Sequence, residues 1–245
     1  MIKFLGGTDT GLVRKTNQDR FECEVLSESL GFVVLCDGMG GQKGGNVASE
    51  IATRFVCDML LRDLKEDMTE LSLHSVLSAA VSGANALVHD AAEKDPALQG
   101  MGTTLIIAVI QGRQLFVSYV GDSRVYTASP TQENQVTKDH TVVQMLLDIG
   151  EITEQDAQSH PKRHYITRAV GVSPTVEADF IVCDLAPDEL VFICSDGMYH
   201  YLPAGGLYAL LHRCVREESV DSLIALAKDG GGTDNITVIV AASHE

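Results

Sequence analysis

Four aspartates in this sequence stand where an apolar run meets a glycine or a polar turn: Asp37, Asp122, Asp196 and Asp234. The residue after each of them is small or carries an oxygen, namely Gly38, Ser123, Gly197 and Asn235. Carboxylates at strand ends, with such residues beside them, are typical ligands of hard metal ions. The pattern therefore favours a metal-dependent enzyme.

The kind of metal follows from the donor atoms. Two carboxylates about 4 Å apart repel each other by ~4 kcal/mol at an effective dielectric constant near 20, so these aspartates either lie far apart or share cations. No spacing of histidine or cysteine suits zinc, which favours an all-oxygen site for Mg²⁺ or Mn²⁺. Two such ions about 3.5–4 Å apart can activate a water for attack on phosphorus. The alternative for each aspartate alone is an ordinary turn residue, because Asp-Gly and Asp-Asn are common in turns.

The charge of the chain limits its partners. A net charge of −16 and an isoelectric point near 4.8 argue against nucleic-acid binding, which needs a basic face. An acidic chain also repels anionic substrates at long range. Phosphate chemistry on this protein would therefore depend on local positive charge.

The apolar segments and cysteines indicate the compartment. No stretch approaches eighteen uncharged apolar residues, and the apolar run at the N-terminus is too short for a signal peptide, so we expect no membrane span and a cytoplasmic location. The six cysteines include no C-x-x-C pair and most lie in apolar runs, as buried reduced thiols do.

Hydrophobic periodicity predicts one α+β domain over residues 1–245. Hairpins outnumber helical crossovers, which favours antiparallel sheets covered by helices over a doubly wound parallel sheet. Strands are predicted at residues 12–13, 21–26, 32–36, 104–110, 114–120, 124–128, 180–184, 190–194 and 235–242, and helices at 46–64, 73–94, 141–149, 154–159, 204–216 and 220–227.

Seven short motifs then occur in a characteristic order. They are GLVRKTNQD at 11–19, DGMGG at 37–41, MGTT at 101–104, GDSR at 121–124, ITRAVG at 166–171, SDG at 195–197 and DNIT at 234–237. Together they resemble the metal-dependent protein serine/threonine phosphatases (the PPM, or type 2C, family) in their compact bacterial form. The resemblance extends over essentially the whole chain.

The resemblance implies a fold and a reaction. The fold is a central β-sandwich of two antiparallel sheets flanked by helix pairs, with a binuclear Mn²⁺ or Mg²⁺ centre at one end. The reaction is hydrolysis of phosphoserine and phosphothreonine in proteins by a water that bridges the two ions. A bacterial source, a monomer and a pathway that includes a serine/threonine kinase are implied as well.

The resemblance also assigns roles to single residues. Asp37 is expected to bridge the two ions, the Gly38 carbonyl to bind one of them, and Asp196 and Asp234 to hold the other. Asp19 is expected to act near the metals, directly or through water.

Two further roles concern the rim of the centre. Asp122, together with Asp196, resembles the ligand set of a third, weaker metal site. Arg14 resembles a phosphate-binding arginine, whose planar fork suits a dianionic phosphoester. The expected catalytic residues are thus Arg14, Asp37 and Asp196.

Two positions depart from the family pattern. Met39 stands where some relatives carry a histidine proposed as a general acid, so the leaving oxygen must be protonated from elsewhere. Gln18 stands where many relatives have Glu, which weakens a carboxylate contact to the second metal or shifts it to Asp19.

The segment from residue 138 to residue 168 resembles the mobile flap of the family. Its basic cluster at residues 160–164 is either a phosphate contact or a solvated loop, and His140 either assists proton transfer or neighbours a helix cap. Two rival functions also stand: a catalytically silent module that binds phosphoproteins or a signalling partner, and a structural Ca²⁺ module.

Overall fold

Two antiparallel sheets form the centre of the protein in a computed structural model, which describes residues 1–243 apart from the side chains of Gln42, Gln158 and Ser243. One sheet has the strand order β1-β11-β10-β7-β8, and the other has the order β2-β3-β5-β6-β9, with β4 paired to the end of β3. The strands are β1 (Ile2–Asp9), β2 (Asp19–Val25), β3 (Leu30–Met39), β4 (Gly102–Thr103), β5 (Leu105–Gln111), β6 (Gln114–Val120), β7 (Arg124–Ala128), β8 (Glu133–Gln135), β9 (Asp179–Asp184), β10 (Leu190–Cys194) and β11 (Ile236–Ser243).

Helices cover the outer face of each sheet, and two short helices lie in the connection between β8 and β9. They are α1 (Gly41–Asp63), α2 (Glu70–Lys94), α3 (Val142–Asp148), α4 (Glu154–Ser159), α5 (Asp196–Tyr199), α6 (Leu207–Glu217) and α7 (Asp221–Asp229). The α1/α2 pair packs on the sheet that contains β3, and α5, α6 and α7 pack on the sheet that contains β11. The predicted α+β sandwich flanked by helices is therefore confirmed.

The central strands are apolar along most of their length because both of their faces are buried. In β3, Phe32 and Val34 point towards α1 and α2. Val33 and Leu35 point towards the opposite sheet. Burial of each such side chain stabilises the fold by roughly 1.5–3 kcal/mol relative to exposure. The strands β5, β10 and β11 follow the same alternation.

The helix α2 is long and apolar enough to cross a membrane by length and composition alone. One face of it, including Leu73, Leu77 and Ala84, is fully buried in the core that it shares with α1 and β3. Core helices of soluble proteins have the same length and composition, so this packing accounts for the apolar character of α2.

The prediction of a strand at residues 12–13 is wrong. Leu12 and Val13 lie in the connection between β1 and β2 and are 61% and 65% exposed. The first strand instead covers Ile2–Asp9, where two glycines conceal the strand pattern. A side chain on Gly6 would clash with the ring of Phe21, so the glycine is required by the packing of β1 on β2.

The start of α1 also differs from the prediction. The helix begins at Gly41 rather than at residue 46, although Gly44 and Gly45 in its first turns disfavour helix formation. A side chain on Gly45 would clash with the backbone of Gly38. The glycines therefore let α1 cross the end of β3 in close contact, at the place where Asp37 lies.

The buried ring of His140 holds the turn between β6 and β7. The ring Nδ1 accepts a hydrogen bond from the Gly121 N–H (3.0 Å), and the backbone N–H of His140 donates to the Gly121 carbonyl (3.0 Å). The ring stacks on Tyr119, with centroids 5.0 Å apart. Both polar groups of Gly121 are thus paired by one residue, which places the adjacent Asp122. His140 also precedes the Thr141 cap of α3, so the default interpretation of His140 as a cap neighbour is confirmed.

We predict that His140→Ala lowers the free energy of unfolding by about 2–4 kcal/mol, because it leaves the Gly121 N–H unpaired and opens a cavity. The matched variant His140→Asn retains an acceptor near the position of Nδ1 and should lose clearly less. Urea unfolding of the metal-free proteins measures both values. Equal losses in the two variants would mean that the hydrogen bond to Gly121 contributes nothing.

Candidate metal centre

Asp19 and Asp37 lie opposite each other on neighbouring strands. They form the last register pair between β2 and β3, and residues in such a pair present their side chains on the same face. Asp19 is buried and Asp37 is partly exposed. One sheet therefore delivers two carboxylates to the same end of the sandwich.

The other sheet delivers Asp196 and Asp234. Asp196 is the first residue of α5, directly after β10 and Ser195, and Asp234 lies just before β11, the neighbour of β10. A side chain on Gly197 would overlap the carbonyl oxygen of Asn235. Glycine at this position thus allows α5 to begin in contact with the turn that carries Asp234.

The carboxylate of Asp19 joins the two sheets. Its Oδ2 accepts hydrogen bonds from the hydroxyls of Ser195 (2.8 Å) and Thr237 (2.6 Å), which stand beside the Asp196 and Asp234 turns. Its other oxygen, Oδ1, is buried without a partner. A buried carboxylate oxygen normally has a partner, so Oδ1 fits a cation or a cation-bound water. Sequence reasoning missed the roles of Ser195 and Thr237, although both stand inside the SDG and DNIT motifs.

Asn235 fixes the segment that carries Arg14. Its side-chain oxygen accepts from the Gln18 N–H (2.9 Å), and its amide nitrogen donates to the carbonyls of Thr10 and Thr16 (3.0 Å each). Both N–H groups and one lone pair of the amide oxygen are thus engaged within the protein. Asn235 is therefore a support of the centre rather than a source of a free ligand oxygen.

Gln18 also has a structural role. Its side-chain nitrogen donates to the Gly41 carbonyl at the start of α1 (2.8 Å), and its backbone carbonyl accepts from the Gly38 N–H (3.2 Å). The amide thus holds the beginning of α1 against the loop before β2. A carboxylate in its place could not make the first of these bonds.

Arg14 lies at the exposed rim of the centre. Its Nη2 donates to Asp234 Oδ2 at 2.6 Å, and this hydrogen bond is the largest cause of the raised pKa of Arg14. The guanidinium side chain is about half exposed. Arg14 is therefore both tied to the carboxylate cluster and open to solvent.

A hydroxyl bridge connects Ser123, the residue after Asp122, to the end of β3. The Thr104 hydroxyl lies 2.9 Å from the Ser123 hydroxyl and accepts from the Asp37 N–H at 2.9 Å. Burial is the first cause of a pKa of about 7 for Asp122, and the charge of Asp139 is the second. The bridge thus holds the turn that carries the buried Asp122 against the end of β3.

The electrostatics of the cluster confirm that the carboxylates converge. Desolvation and then the charges of Asp19 and Asp196 hold the pKa of Asp37 well above its ordinary value. Desolvation and then the charges of Asp122 and Asp234 do the same for Asp196. Burial raises the pKa of Asp19 to about 6, although its hydrogen bonds to Thr237 and Ser195 oppose the shift. Without cations the cluster cannot ionise fully near neutral pH.

The donor set fits hard divalent cations. The structure brings together all of the predicted acidic residues, and their ligand atoms are oxygens throughout. Such a set suits Mg²⁺ or Mn²⁺, and bound cations would relieve both the mutual repulsion and the unpaired Oδ1 of Asp19.

The chain is similar to bacterial protein phosphatases. Residues 12–228 match the family described as protein phosphatase 2C. The serine/threonine phosphatase stp of Listeria innocua is 34% identical over 234 residues, which cover 95% of this chain and 92% of that protein.

Solved structures show the same similarity in three dimensions. The serine/threonine phosphatase PstP/Ppp of Mycobacterium tuberculosis matches with a TM-score of 0.88 and 34% identity, covering 100% of this chain and 99% of the other. The catalytic domain of PstP in complex with two manganese ions matches with a TM-score of 0.84 and 34% identity, covering 98% and 97%. The order of the motifs, the sandwich and the carboxylate centre agree with these matches, and the chain belongs to the protein phosphatase 2C family.

Proposed function

We propose that this chain is a serine/threonine protein phosphatase that depends on two Mn²⁺ or Mg²⁺ ions. The observation that carries the proposal is the convergence of aspartates from both sheets on one end of the sandwich, with Arg14 at its open rim. The relatives that are named as serine/threonine phosphatases, and the PstP structure with two manganese ions, support the same activity.

The resemblance to the family assigns a separate role to each carboxylate. Asp37 would lie between the two ions and the carbonyl of Gly38 would bind one of them, while Asp196 and Asp234 would hold the other. The unpaired Oδ1 of Asp19 supports a contact with this pair of ions, directly or through water. When bound, two such cations activate a water for attack on phosphorus and neutralise charge on the phosphoryl oxygens.

Asp122 would hold a third, weaker ion together with Asp196. Its position supports this role because the charge of Asp122 is the largest charge contribution to the raised pKa of Asp196. The hydroxyl bridge from Ser123 through Thr104 also holds the turn that carries Asp122 against the end of β3.

Arg14 would position the phosphoryl group. One of its N–H groups is engaged by Asp234, and a guanidinium has five. Those that face solvent can grip two phosphoryl oxygens at once. The exposed rim suits a phosphorylated side chain that is still attached to a protein.

Met39 has no proton to donate, and it lies at the end of β3 where it pairs with Gly102. The serine or threonine oxygen that leaves would therefore take its proton from another group or from water. This departure affects one step and leaves the carboxylate cluster and Arg14 intact.

The two alternative functions, a catalytically silent binding module and a structural Ca²⁺ module, explain fewer features of the site than a phosphatase does. A structural cation site gives no role to Arg14, and a silent phosphoprotein-binding module does not require all the aspartates to be retained at the centre. Cation binding without turnover of any phosphopeptide would favour one of them.

The remaining properties are proposals that the charge and the resemblance support. We propose one catalytic domain over residues 1–245, a monomer in the cytoplasm with no nucleic-acid or membrane partner, whose phosphoprotein substrates are made by a serine/threonine kinase of a signalling pathway. The net charge of −16 supports the absence of a nucleic-acid partner.

We predict that a chelator abolishes hydrolysis of an aryl phosphate and of a phosphothreonine peptide, and that Mn²⁺ restores both. The same additions should lower and then raise the melting temperature, because the cations relieve repulsion among the carboxylates. Activity and differential scanning calorimetry are measured on the same samples. Full activity in the metal-stripped protein would refute the function, whereas a thermal shift without turnover would favour the silent module.

We predict that Arg14→Ala lowers kcat/KM for a phosphothreonine peptide by about 10–150-fold, since charge-assisted hydrogen bonds to phosphate contribute about 1.5–3 kcal/mol. Arg14→Lys should recover only part of the loss because an ammonium lacks the planar fork. The control is Lys15→Ala, which removes the neighbouring exposed charge. Equal effects of Arg14→Ala and Lys15→Ala would show that the arginine acts through general charge alone.

We predict that the metal-free protein loses stability as the pH rises from about 6.5 to about 8. The folded carboxyls of Asp37, Asp122 and Asp196 have raised pKa values, so the folded state binds more protons than the unfolded state in this window. The free energy of unfolding then falls with pH, by at most ~1.4 kcal/mol per pH unit for each group.

Urea unfolding at both pH values, with a chelator present, measures this dependence. Asp37→Asn should reduce the fall because its amide does not titrate, and saturating Mn²⁺ should abolish or reverse it. A stability of the metal-free protein that is constant or rises over this window would contradict the convergence of the carboxylates.

A further inference from the structure

A cluster of two histidines and one aspartate lies beside the carboxylate centre. One ligand atom from each of His164, Asp196 and His200 lies within 4.8 Å of the other two. The two imidazole rings meet edge to face, with centroids 5.8 Å apart. His164 belongs to the flap segment between α4 and β9, and His200 follows α5, so the cluster connects the flap to the core.

The donor set of this cluster differs from that of the main centre. Two imidazole nitrogens and one carboxylate oxygen are the ligands of Zn²⁺ in many sites that keep a fourth position open. Imidazole is preferred by zinc and the later transition metals, whereas magnesium and calcium prefer oxygen. The cluster is thus suited to a class of cation that the main centre is not.

We propose that His164, Asp196 and His200 form a binding site for Zn²⁺ or a similar borderline divalent cation, and that occupation of this site inhibits the enzyme. The cation binding stands independently of the phosphatase activity, whereas the inhibition rests on that proposed function.

The geometry explains how the flap would respond. Zn–N bonds of about 2.0–2.1 Å in a tetrahedral site place the ligand atoms roughly 3.3–3.5 Å apart. The three ligand atoms lie within 4.8 Å of one another, so binding would shorten any separation that exceeds the tetrahedral range. Asp196 stands at the start of a helix on β10, and His164 stands in an exposed loop. His164 would therefore move further, and the ion would fix the flap against α5.

The inhibition follows from the shared carboxylate. Asp196 is also a proposed ligand of the hard cations, and an ion held by His164 and His200 would compete for its oxygens. The same ion would bring the flap close to the rim where Arg14 meets solvent. The positive charges of Arg124 and Arg163, which act on His200, oppose cation binding and limit its strength.

The proposed site departs from the expectation, based on sequence spacing, that no histidine or cysteine pattern suits zinc. Asp196 and His200 are four residues apart, and on a helix this spacing places both on one face. His164 comes from a distant part of the chain, which is why a search for neighbouring histidines and cysteines finds nothing. Residues 161–164 are exposed, as the solvated-loop interpretation predicts, but the side chain of His164 has a specific neighbour in Asp196.

The binding test is an NMR titration of the full chain labelled at its eight histidines. Zn²⁺ is added in the presence of saturating Mg²⁺, and the ring carbon signals are assigned by single substitutions. The signals of His164 and His200 should shift at the lowest Zn²⁺ concentrations, before those of other histidines such as His74 and His212. Unchanged signals of His164 and His200 would overturn the site.

The variant test uses the double substitution His164→Ala/His200→Ala. It should weaken Zn²⁺ binding in calorimetry by at least about tenfold, because two of three ligands are lost. The control is His160→Asn, in the same flap, which retains an acceptor for the Lys162 N–H that His160 Nδ1 binds at 3.1 Å. Undiminished Zn²⁺ affinity in the double variant would also overturn the proposal.

The inhibition test compares the same proteins with an aryl phosphate at saturating Mg²⁺. Zn²⁺ should inhibit the wild type and the His160→Asn variant, and the double variant should need at least about tenfold more Zn²⁺ for the same effect. Inhibition that is unchanged in the double variant would show that Zn²⁺ acts by replacing the hard cations, and would overturn the regulatory part. Absence of any turnover in the wild type would refute the proposed function and leave the NMR and calorimetric results standing.

Discussion

The carboxylate of Asp19 connects the two sheets at the end of the sandwich where the site lies, and the arrangement of the site depends on this connection. Asp19 begins β2, and its Oδ2 accepts hydrogen bonds from Ser195 after β10 and from Thr237 in β11. Hydrogen bonds to a buried ionised acceptor contribute about 1.5–3 kcal/mol each. They also set the orientation of the carboxylate, so that Oδ1 remains directed away from the protein donors. One side chain thus bonds the two sheets together through Oδ2 and leaves Oδ1 available to the candidate metal centre.

The same arrangement makes the centre costly for the folded protein. Several carboxylates are desolvated next to one another, and hydrogen bonds satisfy only some of them. Buried charges in proteins are normally paired with an opposite charge and fully hydrogen-bonded. The cost is concentrated at the ends of strands whose interiors are entirely apolar, such as β3 and β10. A well-packed sandwich can tolerate the strain at its end, and bound cations convert this repulsion into affinity for metal. The apolar residues inside the strands therefore make the core rigid, and the carboxylates at the strand ends make its edge reactive.

Much of this organisation could be predicted from local sequence. The strands β3, β6, β10 and β11 are largely apolar, and each has an acidic turn at one end, so the strands and the candidate ligands are visible together. The hydroxyls of Ser195 and Thr237 could not be assigned to Asp19, since they lie 176 and 218 residues away. The strand β1 could not be predicted because its glycines disguise the strand pattern. Gly6 makes room for the ring of Phe21, and this contact between distant residues is not visible in the local sequence. The pairing of His164 with His200 was hidden for the same reason.

Arg14 shows how the acidic protein can accept an anion. Its charge is held at the rim by Asp234, and its loop is fixed by the bonds of Asn235 to Thr10 and Thr16. An arginine without these supports would lose more rotamer freedom on gripping a phosphoryl group. Asp234 therefore has two roles: it is a proposed cation ligand, and it holds the side chain of Arg14, which is proposed to bind phosphate. Substitutions at Arg14 and Asp234 must then be non-additive, because each changes the partner that the other positions.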